Sequence, residues 1–359
     1  MLNNILNEQE VATLRELIAT SSRIVLCAHK SPDGDAVGAV LSMAEYLHTI
    51  WNKEAFIALP DAYPDFLQWM PGSERIVRYD KHPEQVSEAF DKADLVICLD
   101  FNKADRLHAM QEPFDNCKAP KILIDHHLQP DIQAKVTASH TEMCSTCELV
   151  FRIVWQLGGF DTLDRKFAST IYCGMMTDTG GFTYNSTRPE IFFIICQLLT
   201  KKIDKDKIYR NVFNNYSSWA IRLRGYLMSQ KLNVFEDLHA SYFTITRQDM
   251  KDFRFIKGDA EGLVNEPLRI KGMKMSISLR EDDRKDNCVW VSLRSVDDFS
   301  VAEVAEKFFN GGGHLNASGG HHSAIDSAGK LAVERVEAPE LPYDAEHQLA
   351  RGPICRFRA

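Results

Sequence analysis

The sequence predicts an α/β protein, with an N-terminal doubly wound, mostly parallel sheet followed by a smaller C-terminal α/β domain. Three observations predict it. The first half alternates short apolar runs with amphipathic segments, the rhythm of βαβ units. From about Ser145 the pattern turns helical, and past residue 236 strand-like segments return ahead of a glycine-rich stretch. The length, 359 residues, suits two domains better than one core.

Taken in order, the candidate strands are "RIVLCAH" (23–29), "EAFIALP" (54–60), "RIVRYD" (75–80), "DLVICLDF" (94–101) and "KILIDHH" (121–127). Helical candidates such as Ala36–Ile50 and Glu84–Phe90 fall between them. "CELVFRIVWQLG", "DRKFASTIYCGMMTD" and "RPEIFFIICQLLTK" then read as helices, and polar helical stretches from about Lys205 to Asp237 suggest a bridge. Strands return at "ASYFTITR" (240–247), "MKMSISLR" (273–280) and "CVWVSLRS" (288–295). A helix, "VAEVAEKFF", leads into "NGGGHLNASGG" (310–320). The expected division is 1–200 for the first domain, 201–235 for a helical linker and 236–337 for the second domain. Weak periodicity with several prolines and charges marks 338–359 as an irregular tail.

A formal charge of −8, from 42 basic and 50 acidic residues, argues against wrapping long nucleic acid but leaves short nucleotides open. No apolar run approaches the roughly 20 residues of a membrane helix. The opening "MLNNILNEQEVATL" lacks the layout of a signal peptide. Nine cysteines lie mostly in apolar segments (Cys27, Cys98, Cys173, Cys196), the pattern of reduced core thiols. A cytoplasmic protein without a disulfide framework is expected.

The chemistry-bearing residues collect at strand ends. His29, Asp33 and Asp35 follow the first strand, Asp100 ends "LVICLD", and Asp125, His126 and His127 end "KILIDHH". Asp178 sits in "GMMTDTGGF", where a helix breaks into a turn. In a parallel sheet these ends converge on one edge. Gathered carboxylates and imidazoles repel unless cations sit among them. The mixed donors suit Mn²⁺, with Mg²⁺ or another divalent ion as the alternative. There are enough ligands for two ions with one carboxylate as a bridge, an arrangement that activates water and stabilises phosphoryl oxygens. Each piece has a simpler reading alone: a turn and helix cap in "PDGD", a polar strand end in "DHH", a helix stop in "TDTGG". Their occurrence together at successive strand ends favours one shared site. Cys144 and Cys147 form a lone CxxC that reads better as a helix N-terminus than as a zinc or redox site.

"HKSPDGDA", the Asp in "LDFNKADR", "DHH" and "TDTGGF" resemble the four motifs of the DHH phosphoesterases, and "GGGHLNASGG" resembles the signature of the associated DHHA1 domain. The motifs stand in family order over residues 29 to 320. The resemblance implies that His29, Asp33 and Asp100 hold one Mn²⁺ and that Asp35, His126 and Asp178 hold the other, with Asp100 bridging. It gives Asp125 a supporting, orienting role and places His127 at the scissile phosphate. Activated water, not a protein nucleophile, would attack phosphorus.

In the second domain, Gly312 and Gly313 would let backbone approach an anion closely, His314 would donate to a phosphate, and Arg294 is a candidate fork for a terminal phosphate or carboxylate. A solvated strand-end charge is an equal reading for Arg294. Because the metal ligands and His314 fall on different domains, closure is expected to matter. Phe182, Tyr184 and Tyr242 are equal candidates for stacking on a base.

Within the family, the chain resembles the short, stand-alone NrnA type, an oligoribonuclease and pAp phosphatase. Room for an appended oligonucleotide-binding domain and a membrane or sensory segment is not expected. The resemblance implies action on short RNA, linear dinucleotides such as pApA, and 3′-phosphoadenosine 5′-phosphate (pAp), with a homodimer as a reasonable state. The alternatives are a polyphosphate or cyclic-dinucleotide substrate, or a non-enzymatic nucleotide-binding protein. No long duplex and no membrane partner is expected.

Overall fold

The structure, a computed structural model, describes residues 2–256 and 258–323. The chain divides after Asn215 into two compact units. The expected tail at 338–359 lies outside the described residues.

Six strands form the sheet of the first unit: β1 (Ile24–Cys27), β2 (Ala55–Leu59), β3 (Ile76–Arg78), β4 (Leu95–Leu99), β5 (Lys121–Asp125) and β6 (Val136–Ser139). All pair in parallel, in the order β3-β2-β1-β4-β5-β6. The connections reverse direction between β1 and β4, and such a switch point opens a crevice beyond the carboxyl ends of the strands. Cys27 on β1 pairs in register with Cys98 on β4. The segments that follow, carrying His29 and Asp100, therefore leave the sheet side by side.

Helices cover both faces: α1 (Glu8–Thr20), α2 (Gly34–Trp51), α3 (Pro83–Lys92), α4 (Gln111–Asn116), α5 (Thr146–Leu157), α6 (Arg165–Asp178), α7 (Pro189–Thr200) and α8 (Lys205–Phe213). Along β1, Ile24 and Leu26 join a core shared with Leu47, Val150 and Ile171 of α2, α5 and α6. Val25 and Cys27 join a second core with Phe90 of α3 and Phe114 of α4. Burial on both faces explains why these strands read as unbroken apolar runs. The sequence pattern did not single out α1, which starts in a capping box of Asn7 and Glu10, or the short β6.

The second unit contains α9 (Ser218–Tyr226), α10 (Arg247–Asp252) and α11 (Val301–Phe308). Its sheet comprises β7 (Asn233–Phe235), β8 (Ala240–Ile245), β9 (Met275–Glu281), β10 (Val289–Ser295), β11 (Gly312–His314) and β12 (Ala317–His322). The order is β11-β12-β10-β9-β8-β7, with β8 and β9 parallel and the other pairs antiparallel. Val301, Val304 and Ala305 of α11 pack on Ile277, Leu279, Val291 and Leu293. On the other face Phe243 and Ile245 pack with Leu223 of α9 and Met250 of α10.

The glycine-rich stretch forms strands β11 and β12. A Cβ at Gly311 would lie 1.9 Å from the Gly319 carbonyl oxygen, so this approach admits only glycine. The region expected as one helical linker is instead divided: α8 ends before Asn215, α9 begins after it, and β7 already pairs with β8. The eight described cysteines are all free thiols, but Cys196 stands exposed on α7 rather than in the core, because Ile191, Ile194 and Leu198 take that helix's inward face. Among the described residues no helix is long and apolar enough to cross a membrane.

Candidate metal centre

Asp33 is the N-cap of α2, and its Oδ1 accepts from the amides of Asp35 and Ala36, each at 3.0 Å. Capping turns the chain so that Asp33 and Asp35 flank the helix start. Asp100 follows β4 with φ 65°, a left-handed conformation that Asp tolerates better than most residues, and its amide donates to the Ile124 carbonyl at 3.1 Å. Asp178 is the last residue of α6, and Gly180 (φ 55°) and Gly181 (φ 74°) end that helix at once. Close helix packing brings these ends together: a Cβ at Gly174 on α6 would lie 2.2 Å from Cys147 Sγ and 2.9 Å from Asp35 Oδ1. Glycine is required there.

Among the described residues, three groups of ligand-type side chains share Asp100: His29, Asp33 and Asp100; Asp35, Asp100 and His126; and Asp100, Asp125 and His127, each with its donor atoms within 4.8 Å of one another. His29 Nε2 lies 3.3 Å from Asp100 Oδ2 and 3.9 Å from Asp33 Oδ1. His126 Nε2 lies 3.6 Å from Asp100 Oδ1, 3.9 Å from Asp35 Oδ2 and 3.4 Å from Asp178 Oδ2. Each imidazole is oriented by a carbonyl at its other nitrogen, Lys30 O at 2.8 Å from His29 Nδ1 and Met143 O at 3.2 Å from His126 Nδ1. Those bonds place the proton on Nδ1 and leave Nε2 as the donor nitrogen for a metal. His29, Asp35, Asp100 and His126 are all buried, while Asp178 and Asp33 are more open.

The electrostatics show the strain of this crowding. Burial, with Asp35 and Asp33 nearby, pushes the Asp100 carboxyl well above the usual range. Burial also raises Asp178 to about 8, assisted by Asp35 and Asp33 and opposed by His126. Burial alone would lower His126, but Asp178, Asp100, Asp35 and Asp125 raise it to about 9. Asp33 goes the other way, because the desolvation it feels is outweighed by His29 and the Ala36 amide. Carboxylates such as Asp100 and Asp178 pushed toward protonation beside the His126 imidazole pulled toward it are what a divalent cation would relieve. The donors fit such an ion. Soft thiolate ligation does not fit, since burial and the Asp35 charge hold Cys147 well above the ordinary thiol range.

Asp125, fully buried, accepts from the His127 amide at 3.1 Å and from His127 Nδ1 at 2.7 Å. Burial, His126 and Arg106 push the His127 imidazole well below its usual range. His127 is thereby neutral at physiological pH, with its proton on Nδ1. Arg106, exposed after β4, closes the stretch "LDFNKADR" but was assigned no role of its own from the sequence.

The remaining candidates lie in the second unit. Arg294 on β10 and His314 on β11 both pair with Ala317 on β12, so they share one sheet face, together with Gly312. Gly313 is offset by one residue and falls on the face packed by α11, and a Cβ there would meet the Ala317 carbonyl at 2.5 Å. Close strand packing thus accounts for Gly313, whereas a Cβ at Gly312 would meet nothing nearer than 3.8 Å. Arg294 Nε and, across the register on β9, Ser276 Oγ are buried without a hydrogen-bond partner among the described residues. Of the candidate stacking aromatics, Phe182 packs on Tyr172 at 5.5 Å and Tyr242 stacks on Phe235 at 6.0 Å, while Tyr184 keeps 46% exposure.

Three hydrogen bonds from the start of α5 were not anticipated. Thr146 Oγ1 donates to Asp100 Oδ1 at 2.9 Å, and the amides of Thr146 and Cys147 donate to Asp35 at 2.6 and 2.9 Å. The helix N-terminus expected at "CSTCELVF" is present, with Ser145 as N-cap, but its meeting with Asp35 and Asp100 carries no local signal.

Residues 23–175 match the model of the DHH family, N-terminal domain, and residues 240–338 match the DHHA1 domain. The chain is 24% identical over 331 residues to the bifunctional oligoribonuclease and PAP phosphatase NrnA of Bacillus subtilis, covering 89% of this chain and 96% of that one. It is 25% identical to the Thermus thermophilus protein of the same name, covering 89% and 90%. A crystal structure of an exopolyphosphatase-related protein from Bacteroides fragilis is 42% identical, with a TM-score of 0.87 over 93% of this chain and 97% of that one. The four motif ends gathered at one switch point, the DHHA1 match and this similarity over nearly the whole length lead to one conclusion: the chain belongs to the DHH/DHHA1 phosphoesterase family.

Proposed function

We propose that this metal-dependent phosphoesterase holds two divalent ions, Mn²⁺ by preference, and hydrolyses short oligoribonucleotides, linear dinucleotides such as pApA, and pAp. The observation that carries the reading is Asp100, one buried carboxylate shared by the His29/Asp33 and Asp35/His126 groups. His29, Asp33 and Asp100 would hold one ion, and Asp35, His126, Asp178 and Asp100 the other. Bound by these residues, the ions would supply activation of a water and neutralisation of charge developing on phosphoryl oxygens. Imidazole and carboxylate donors without a thiolate favour Mn²⁺ or Mg²⁺ over softer metals.

The chain's own residues divide the other tasks. Neutral His127, with its proton fixed on Nδ1 by Asp125, presents Nε2 as an acceptor toward a water or a protonated phosphate oxygen. Arg294 and His314, on one sheet face, supply donors for a terminal phosphate, and the unsatisfied Arg294 Nε supports that use. Tyr184 is the stacking candidate left most exposed.

The substrate class rests on similarity to two proteins named oligoribonuclease and PAP phosphatase. A second reading, polyphosphate hydrolysis, is favoured by the 42% identity to a protein named exopolyphosphatase-related. Purified protein with Mn²⁺, offered pApA, pAp, cyclic di-AMP and polyphosphate side by side, separates them. Turnover of pApA and pAp is expected, and cleavage of polyphosphate with both nucleotides left intact would overturn the assignment. An Asp100→Asn protein that folds, binds pApA and does not turn it over separates an enzyme from a nucleotide-binding protein, in which the substitution would change nothing catalytic.

A further inference from the structure

We infer that Thr146 is a positioning residue for the shared carboxylate, and that its hydroxyl decides which oxygen of Asp100 serves which ligand group. The inference rests on the two-metal reading above and adds to it a residue outside the four motifs.

The five-residue segment from Met143 to Cys147 touches every member of the Asp35/Asp100/His126 group. Met143 O bonds His126 Nδ1 at 3.2 Å, the Thr146 and Cys147 amides bond Asp35, and the Thr146 hydroxyl bonds Asp100 Oδ1 at 2.9 Å. Thr146 is fully buried and Asp100 is 2% exposed, so water does not compete for this bond. Donation to Oδ1 fixes the plane of the carboxylate. Oδ2 then faces His29 Nε2 at 3.3 Å, while Oδ1 faces His126 Nε2 at 3.6 Å. Without the hydroxyl the carboxylate could rotate, and neither oxygen would be committed to a side.

The segment is itself fastened. Glu148, fully buried, accepts from the Cys144 amide at 2.8 Å, from Arg152 Nε at 2.9 Å and from Arg188 Nη2 at 2.6 Å. Ser145 Oγ accepts from the Glu148 amide at 3.0 Å. Thr146 therefore acts from a rigid base, as groups that orient metal ligands must.

The test uses the full chain stripped with EDTA and titrated with Mn²⁺ alone by calorimetry, with Mn²⁺ electron paramagnetic resonance as a second readout. Wild type is expected to bind two ions with the spectrum of a coupled pair. Thr146→Val keeps the shape and the backbone bond to Asp35 but removes the hydroxyl. It is expected to weaken Mn²⁺ binding about 10–100-fold and to lose the coupled spectrum. Thr146→Ser, which restores a hydroxyl, should recover both. Melting in EDTA monitors folding, and Thr146→Ala replaces the Val variant if Val does not fold. If wild type binds Mn²⁺ as a pair and a folded Val or Ala variant does so equally well, the role of Thr146 is overturned and the metal reading stands. If wild type binds no Mn²⁺, the metal reading itself falls, and Thr146 with it.

Discussion

Asp125 Oδ1 accepts a hydrogen bond from His127 Nδ1 at 2.7 Å, from a position with no solvent exposure. An aspartate there does not need to touch an ion to matter, because it sets the imidazole tautomer. An amide could donate instead of accept, turning Nδ1 into an acceptor and moving the proton to Nε2. Asp125→Asn is expected to lower kcat by about 10–100-fold while leaving Mn²⁺ content near wild type. Metal analysis beside steady-state kinetics checks this, and a parallel loss of Mn²⁺ would assign Asp125 to metal retention instead.

Divalent ions should stabilise the first unit far more than the second. Ligand that binds only the folded state adds about 2.7 kcal/mol at a hundred times its Kd. For a unit of this size that is a rise in melting temperature of about 5–10 °C, reversed by EDTA. Calorimetry with and without Mn²⁺ reads it directly, and a transition indifferent to both additions contradicts a bound pair.

Glu148 balances two arginines, Arg152 with a side chain 3% exposed and Arg188 with one 29% exposed. Glu148→Gln preserves shape but strands a buried guanidinium without its counter-charge. A loss of about 3–5 kcal/mol is expected from breaking one partner of a buried pair. Urea unfolding followed by tryptophan fluorescence measures it, with a lower midpoint as the expected sign.

In the second unit the acid dependence of stability should involve Asp249. Burial opposes its ionisation, but the Thr246 amide and hydroxyl and Lys231 Nζ at 3.3 Å outweigh that and hold its carboxyl below the usual range. A folded value below the unfolded one means stabilisation present above about pH 4 and lost as pH falls through the folded value. Asp249→Asn should therefore cost about 1 kcal/mol at neutral pH, with the gap to wild type closing as pH drops from about 5 toward 3. Denaturant midpoints across that range check the sign. A gap that widens on acidification would show the opposite shift.

The fold was legible because its signals are local, and so were the positions of the candidate ligands at or just past the ends of their strands and helices. Apolar runs with turn residues located β1, β2, β4 and β5, and α2 began where Asp33 caps it. Asp33 caps the helix, as the simpler reading of "PDGD" has it, and the same side chain also joins a group of metal-capable residues. Short β6 and the strand pair β11–β12 escaped notice: β6 has little apolar character, and glycines in β11–β12 mimic a loop. Cys196 misled because an apolar segment need not bury every residue.

By itself the sequence determined which residues could serve and the order in which they come, since periodicity and turn chemistry act over a few neighbours. Only the tertiary structure decided that β1 and β4 lie side by side, that Asp100 stands between the two ligand groups, and that the start of α5 holds Asp35 and Asp100. Those facts depend on pairings across tens of residues, from Asp35 to Cys147 and from Asp100 to Thr146, and strand order and helix packing set them.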